Sequence, residues 1–206
     1  SESCHELNIH IVKNYSESIC VYDVNFRHQL LNVNQSAQHL EDIIPHVDIL
    51  YVSEGDLKVL QEFDEQIRIL DFRDKAGISK MGSQLMGHGP SLVVSRFGAR
   101  GAVVANANES FFYELSSPVE AVDTTGAGDV FNGVFSGQLL MDYLQQSQSK
   151  TLNLKKAFRE WLSKMNKKDF LPALQAAEKY ASWQVSEWGS LAPHIKWYRE
   201  QTDVRI

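Results

Sequence analysis

The sequence contains few cysteines, no excess of positive charge and no long apolar run, and each of these absences excludes a class of protein. Only Cys4 and Cys20 occur in 206 residues, which is neither a disulfide framework nor a cysteine-based metal site. Lys and Arg number 20 against 26 Asp and Glu, so the net charge of -6 creates no field that would attract a polyanion such as DNA. No window approaches the roughly 18 apolar residues of a membrane-spanning helix, and residues 1–10 contain no signal-peptide core. We therefore expect a cytoplasmic protein without a nucleic-acid or membrane partner.

The sequence does contain enough apolar residues for one sizeable core. A hydrophobic fraction of 43% with 22% charged residues is ordinary for a globular chain, and the length predicts a single domain over residues 1–206. Short apolar runs predict strands, and apolar residues spaced three and four apart predict helices between them. The predicted strands are residues 19–22, 47–52, 92–95, 102–105 and 110–115. This alternation indicates an α/β fold with a largely parallel sheet.

Other stretches carry weaker patterns. A helix is predicted from residue 32 to residue 45, another after Ser53 and a third after Gly126, and two more helices follow, the last over residues 173–188. Polar residues predict loops at 145–150 and 164–169. Glycines interrupt any regular spacing of apolar residues in residues 71–88, so neither a helix or strand nor a function is predicted there.

The sharpest pattern is Asp-Thr-Thr-Gly-Ala-Gly-Asp at residues 123–129, between a strand-like segment and an apolar helix. Gly126 and Gly128, on either side of Ala127, allow a tight turn and a close approach of the backbone to a ligand. The start of the helix leaves N–H groups unpaired, and these groups attract an anion. Asp129 in the first turn would lie beside that anion, where it can accept a proton from an attacking hydroxyl. The alternative is an ordinary turn with Asp123 or Thr125 as the N-cap.

The complete seven-residue string resembles the second signature of the ribokinase-like (PfkB) carbohydrate kinases. The resemblance implies a three-layer α/β/α sandwich that uses ATP and Mg²⁺ to phosphorylate an alcohol group of a sugar or sugar acid. It also implies that Asp129 is the general base and that the backbone amides of Gly126, Ala127 and Gly128 form the anion hole for the transferred phosphate.

Two segments resemble cation sites of the same family. Asp123 and Thr125 look like contributors to the loop that binds a monovalent cation in many members, which implies K⁺ as an optional cofactor. Ser53-Glu54-Gly55-Asp56 stands where many members carry Asn-x-x-Glu, which organises Mg²⁺ and the phosphate waters. Asp56 keeps a carboxylate of shorter reach, which leaves open a water-mediated contact to Mg²⁺. The alternative is an N-cap serine with acidic residues in a first helical turn.

The segment from Arg96 to Gly101 is similar to the family's Thr-x-Gly-x-x-Gly nucleotide segment, with arginine in the place of threonine. By this resemblance Gly98 and Gly101 let the backbone approach ATP, and Arg96 reaches a phosphate as a permanent cation. The alternative is a hairpin turn with solvated arginines.

Residues 23–27 are similar to the family's Asp-x-Asn-x-Arg segment at the end of a strand, in the variant found in fructokinases and ketodeoxygluconate kinases. The resemblance places Asn25 close to the phosphates of the nucleotide. Taken alone, Asp23 and Asn25 after a strand are typical turn formers.

The chain begins just before this strand, so the resemblance also implies that it lacks the family's N-terminal strands, its Gly-Gly-Asn sugar-binding motif and its β-lid. Two hypotheses follow: a kinase for sugars or sugar acids, or a nucleotide-binding relative without turnover. A nucleoside is an alternative acceptor, because the retained motifs concern the ATP side. An unpaired sheet edge is expected to invite self-association into a homo-oligomer.

Overall fold

The computed structural model describes residues 2–67, 73–116, 119–147, 153–186 and 188–189. In this part of the chain, a five-stranded sheet lies between two layers of helices. The strands are β1 (Val21–Asp23), β2 (Ile49–Ser53), β3 (Leu92–Arg96), β4 (Ala102–Asn106) and β5 (Ser110–Tyr113). The helices are α1 (Glu2–Asn14), α2 (Val33–Ile43), α3 (Leu57–Phe63), α4 (Lys75–Met86), α5 (Ala127–Gln146), α6 (Leu154–Lys164) and α7 (Lys167–Val185).

The strands follow one another across the sheet in the order in which they occur along the chain. β1, β2 and β3 are parallel, whereas β4 and β5 are antiparallel to their neighbours. The connection from β3 to β4 is the short turn around the 3₁₀ helix Gly98–Arg100, and a turn of this length joins antiparallel strands only. The predicted α/β/α sandwich is thus confirmed, with a hairpin beside its parallel strands.

Alternate residues of the strands build two separate cores. Tyr51 and Val94 face α5, α6 and α7, together with other buried strand residues of the same face. Leu50, Val93 and Val103 face α2, α3 and α4 on the other side of the sheet. Because both faces are covered, the three parallel strands read as nearly continuous apolar runs rather than as alternating ones.

Two helices were not predicted. α1 has a polar sequence, and only Ile9 of this helix packs against the core, so its apolar period is weak. In α4 one of the glycines that obscure the period has a packing role, because a Cβ on Gly82 would lie 2.8 Å from Ala105 Cβ. A glycine there lets the helix approach β4 closely.

The helix boundaries correct two further predictions. α7 begins at Lys167, so the predicted loop at 164–169 is wrong in its second half: Asn166 caps the helix and accepts a hydrogen bond from Lys168 N–H at 3.0 Å. Half of the predicted loop at 145–150, residues 148–150, lies outside the described residues, and α5 continues to Gln146. None of the described helices is long and apolar enough to cross a membrane.

A buried carboxylate ties α6 to the sheet. Asp48 is fully buried just before β2 and accepts hydrogen bonds from Cys20 N–H at 2.6 Å and from Arg159 Nη1 at 2.7 Å. Lys155 Nζ lies 3.2 Å from Asp48 Oδ2, the oxygen that also accepts from Cys20 N–H. The network is at the amino ends of the parallel strands, opposite the edge described next.

Candidate functional site

The predicted motifs meet at one edge of the sheet. Asp23, Ser53 and Arg96 are the last residues of β1, β2 and β3, and the carboxyl ends of parallel strands share an edge. A cleft of about 640 Å³ opens there. It is lined by parts of every segment that resembled a family motif: Asp23, Asn25 and Arg27; Ser53; Arg96, Gly98 and Gly101; and Thr125, Gly126, Ala127, Gly128 and Asp129.

Arg96 is anchored at the centre of this edge. Its Nη2 donates to both carboxylate oxygens of Asp23, at 2.9 and 2.8 Å, although the two residues are 73 positions apart. Asn132 Nδ2 donates to the same carboxylate at 2.9 Å. Burial raises the pKa of the Asp23 carboxyl, and the nearby Arg96 charge opposes that shift. With its side chain only 15% exposed, Arg96 is not the solvated arginine of the alternative interpretation, whereas Arg100 is 45% exposed and pairs with Glu54.

The Arg96 guanidinium also lies against the first turn of α5. A Cβ built on Gly128 would be 2.3 Å from Arg96 Nη1, so the guanidinium would have to shift to admit any side chain at this position. Gly128 therefore makes room for a cation, and this cation stands beside the positive end of a helix. Arg96 Nε is buried and has no hydrogen-bond partner among the described residues.

The segment 123–129 forms the predicted strand-to-helix turn. Gly126 is the N-cap of α5, with a φ of 78° that favours glycine. Of the three amides predicted as an anion hole, that of Ala127 donates to Thr124 O at 3.3 Å. The Gly128 amide is in the first helical turn, where the helix itself supplies no acceptor, and so is the Asp129 amide, which was not among the three. The role of the Gly126 amide stays a prediction. The Asp129 side chain is exposed at the cleft and has no hydrogen-bond partner within the described ranges.

The two glycines of the β3–β4 turn have different surroundings. Gly98 has a φ of 55°, and a Cβ there would meet no atom within 4 Å, so the backbone is open to a ligand. Gly101 has a φ of 107°, and its Cβ would lie 2.0 Å from Tyr113 O. Gly101 lines the cleft, but its lack of a side chain is required by the neighbouring strand β5.

Asp56 is turned into the protein. It is 1% exposed at the end of the 3₁₀ helix Glu54–Asp56, where it forms a capping box with Ser53. Both of its oxygens accept hydrogen bonds from protein donors, which are Phe26 N–H, Ser53 N–H and Ser53 Oγ. The N-cap alternative is therefore observed, and Asp56 is not part of the cleft lining. A contact of Asp56 to Mg²⁺ stays a prediction.

The loop predicted to bind a monovalent cation is closed by α7. Asp123 accepts hydrogen bonds from Thr125 N–H at 2.9 Å and from Gly189 N–H at 3.1 Å. Hydrogen bonds lower the pKa of Asp123, first those from the Thr125 side chain and backbone, and to a smaller extent the one from Gly189 N–H. Gln184, which the sequence analysis did not single out, donates to the carbonyls of Thr125 and Gly189. Its Oε1 is buried without a partner in the described part of the chain.

The apolar part of the cleft lining includes Leu115, Val119 and Val185. Glu178 also lines the cleft, and its carboxylate, 4% exposed, accepts hydrogen bonds from the hydroxyl of Tyr113 and from Ser116 N–H at 2.7 Å. Sequence reasoning missed Glu178, although a lone acid on the apolar face of a predicted helix was a usable signal.

The described residues contain no group of three His, Cys, Asp or Glu side chains that could hold a metal ion by themselves. This donor set fits Mg²⁺ only if the ion arrives with phosphates, because Mg²⁺ keeps several waters and needs one or two carboxylates beside substrate oxygens. Asp129 is an exposed carboxylate in the cleft lining.

Comparison with known proteins agrees with this geometry. The sequence pattern of the pfkB family carbohydrate kinases matches residues 3–196, and the chain belongs to that family. It is 29% identical over 140 residues to an ATP-dependent 6-phosphofructokinase of Thermoanaerobacterium thermosaccharolyticum, over 66% of this chain and 39% of that protein.

Solved kinases share the fold. An aminoimidazole riboside kinase from Salmonella enterica, in complex with aminoimidazole riboside and an ATP analogue, superposes with a TM-score of 0.60 at 19% identity, over 88% of this chain and 51% of that one. An E. coli protein assigned as a ribokinase II, in complex with ATP and Mg²⁺, has a TM-score of 0.55 at 25% identity, over 88% of this chain and 46% of that one. The chain thus spans about half of the length of these structures, and less of the phosphofructokinase.

Proposed function

We propose that the chain binds Mg-ATP in this cleft and transfers the terminal phosphoryl group to an alcohol group of a sugar or sugar acid. The observation that carries the proposal is the direct contact between three distant segments, in which Asp23 holds Arg96 and Arg96 lies against Gly128. Membership of the carbohydrate kinase family supports it. So does the similarity to the E. coli structure that contains ATP and Mg²⁺.

The phosphates would bind between Arg96 and the start of α5. The guanidinium supplies a permanent charge, and the first-turn amides of Gly128 and Asp129 supply donors without internal partners. Both are fixed before the ligand arrives: Arg96 by Asp23, and the amides by the helix. Such preorganised donors stabilise charge that develops on the transferred group.

The adenine base would lie against the apolar part of the cleft lining. The walls formed by Leu115, Val119 and Val185 suit a flat aromatic ring. The buried Glu178 shapes this part rather than contacting the base, because its oxygens accept hydrogen bonds from Tyr113 and Ser116.

Asp129 would act on the acceptor. Its exposed carboxylate accepts the proton of the sugar hydroxyl as the hydroxyl oxygen forms a bond to the γ-phosphorus, and the bond to the bridging oxygen breaks to release ADP. Mg²⁺ bound with the nucleotide would neutralise phosphate charge during this transfer. Asp123 and Thr125, with the unpartnered Oε1 of Gln184, would hold a K⁺ ion behind the anion hole, where oxygen atoms are concentrated.

Calorimetry with Mg-ATP tests the nucleotide part of the proposal. Arg96→Met should weaken binding about tenfold or more, because it removes a charged hydrogen-bond donor from the phosphate site. Arg100→Met is the matched control: it removes an exposed arginine of the same turn and should leave the affinity within about twofold. Equal affinities of the two variants, or no binding by the folded wild-type chain, would refute the assignment of the cleft.

A coupled assay with sugars, sugar acids and nucleosides tests the acceptor. Turnover with nucleosides, but with no sugar or sugar acid, would show that the acceptor is a nucleoside. Nucleotide binding without turnover on any of these compounds would favour the nucleotide-binding relative that lacks activity.

A further inference from the structure

Asn25 has an unusual backbone conformation within the cleft. Its φ of 44° makes it the one residue other than glycine with a positive φ in the described part of the chain. Asparagine tolerates this left-handed conformation better than most residues, yet such conformations persist where the surroundings enforce them, and they concentrate at ligand sites. Asn25 lines the cleft between Asp23 and Arg27.

Two hydrogen bonds enforce the conformation from either side. Val24 N–H, just before Asn25, donates to Tyr51 O at 3.1 Å. Phe26 N–H, just after it, donates to Asp56 Oδ1 at 2.7 Å. Both acceptors belong to β2 or the turn that follows it, so the loop after β1 is pinned to its neighbour on both sides of the left-handed residue.

The Asp56 carboxylate is well suited to this task. Its second oxygen accepts hydrogen bonds from Ser53 N–H at 2.6 Å and Ser53 Oγ at 2.7 Å, which hold the side chain in one orientation. The residue is 1% exposed, and hydrogen bonds to a charged acceptor in such surroundings are stronger than neutral ones. The contacts of Ser53 with Oδ2 therefore fix the Asp56 side chain, and Oδ1 accepts the hydrogen bond from Phe26 N–H.

We propose that Asp56 is a positioning residue that holds Asn25 in its left-handed conformation, facing the phosphate end of the cleft. The role of Asn25 in nucleotide binding rests on the proposed function; the contact between Asp56 and Phe26 does not. A carboxylate at this position therefore acts on the nucleotide through the backbone of another loop. This differs from a contact to Mg²⁺, which would require Asp56 to exchange a protein donor for the ion or its water.

Amide hydrogen exchange, measured by NMR on the 206-residue chain, tests the contact directly. Asp56→Ala should increase the exchange rate of the Phe26 amide about tenfold or more, because the donor loses a charged acceptor. Glu54→Gln is the matched control: it removes an exposed acid of the same turn, and the rate should change less than about twofold. If Asp56→Ala does not fold, Asp56→Asn replaces it, since that variant keeps the size and leaves one acceptor oxygen for three donors.

Nucleotide affinity then separates positioning from metal binding. Asp56→Ala should weaken Mg-ATP and Mg²⁺-free ADP by the same factor, on the order of threefold to tenfold. An unchanged exchange rate of Phe26 in a folded variant overturns the proposal, and so does a loss of affinity that is confined to solutions with Mg²⁺. If the wild-type chain binds no nucleotide, the proposed function fails, and the exchange rate of Phe26 still decides whether Asp56 holds the loop.

Discussion

Replacing Gly128 by alanine adds one methyl group at the point where the cleft is most tightly packed. The new Cβ would lie 2.3 Å from Arg96 Nη1, whereas ordinary contact begins at 3.4 Å, so the guanidinium must retreat by about 1 Å. Arg96 has little freedom to do so, because its Nη2 is bound to both oxygens of Asp23 and its guanidinium carbon lies 5.8 Å from the centre of the Tyr51 ring.

The expected cost follows from the contacts that this retreat disrupts. The pair between Arg96 and Asp23 is mostly buried, and a hydrogen bond to a charged group contributes about 1.5–3 kcal/mol. Alanine has a higher helix propensity than glycine, which offsets about 0.5–1 kcal/mol of this loss. We therefore expect Gly128→Ala to lower the free energy of unfolding by about 1–2 kcal/mol and to weaken Mg-ATP binding about tenfold.

Urea unfolding and calorimetry with Mg-ATP measure these two quantities. A double-mutant cycle with Arg96→Ala isolates the cause, because alanine at 128 should cost nothing further once the guanidinium is gone. Gly137→Ala is the matched control in the same helix: a Cβ there meets no atom within 4 Å, so it should leave the affinity for Mg-ATP unchanged and stabilise the fold slightly. Additive effects of the changes at 96 and 128, or equal effects at 128 and 137, would refute the assigned contact.

Three other predictions follow from the same structure. Asp129→Asn should reduce turnover about 100-fold or more and leave Mg-ATP affinity nearly unchanged, since it removes the base only; near-normal rates in the coupled assay would contradict that role. Asp48→Ala should cost about 3–5 kcal/mol in urea unfolding because it removes the buried carboxylate that accepts from Cys20 N–H and pairs with Arg159 and Lys155, whereas Glu54→Gln at an exposed pair should cost less than about 1 kcal/mol; similar costs would argue against the buried network. Strand β1 lies at the edge of the described sheet and Val21 is 44% exposed there, so the purified chain should self-associate through this strand; light scattering measures the oligomeric state, and a monomer would contradict the prediction.

Much of the fold was predictable because its signals are local. The apolar runs located all five strands, and the glycines around Ala127 located the start of α5. α1 and α4 were missed for opposite reasons: α1 is mostly solvated, and α4 uses Gly82 to approach Ala105, which lowers its apparent helical propensity. The start of α7 was placed too late because Asn166 and the charged residues after it form a capped first turn rather than a loop.

The roles assigned to the glycines show the limit of such reasoning. The residue pattern predicted that Gly128 lets the backbone approach a ligand, and the resemblance to the family predicted the same for Gly101. In the structure Gly101 makes room for Tyr113 O, and Gly128 makes room for the side chain of Arg96. A glycine signals that something lies close to the backbone, but the sequence does not show which group that is.

The sequence alone predicts which segments form the edge of the cleft, because a buried strand followed by polar residues or a glycine turn is a local pattern of backbone conformation. Which side chains meet at that edge depends on the tertiary structure. Asp23 and Arg96 pair across 73 residues because β1 and β3 flank β2 in parallel register, and Asp56 turns inward because Phe26 N–H reaches it from the loop after β1. Contacts of this kind depend on strand order and register, which arise from the packing of the whole sheet between its two helical layers.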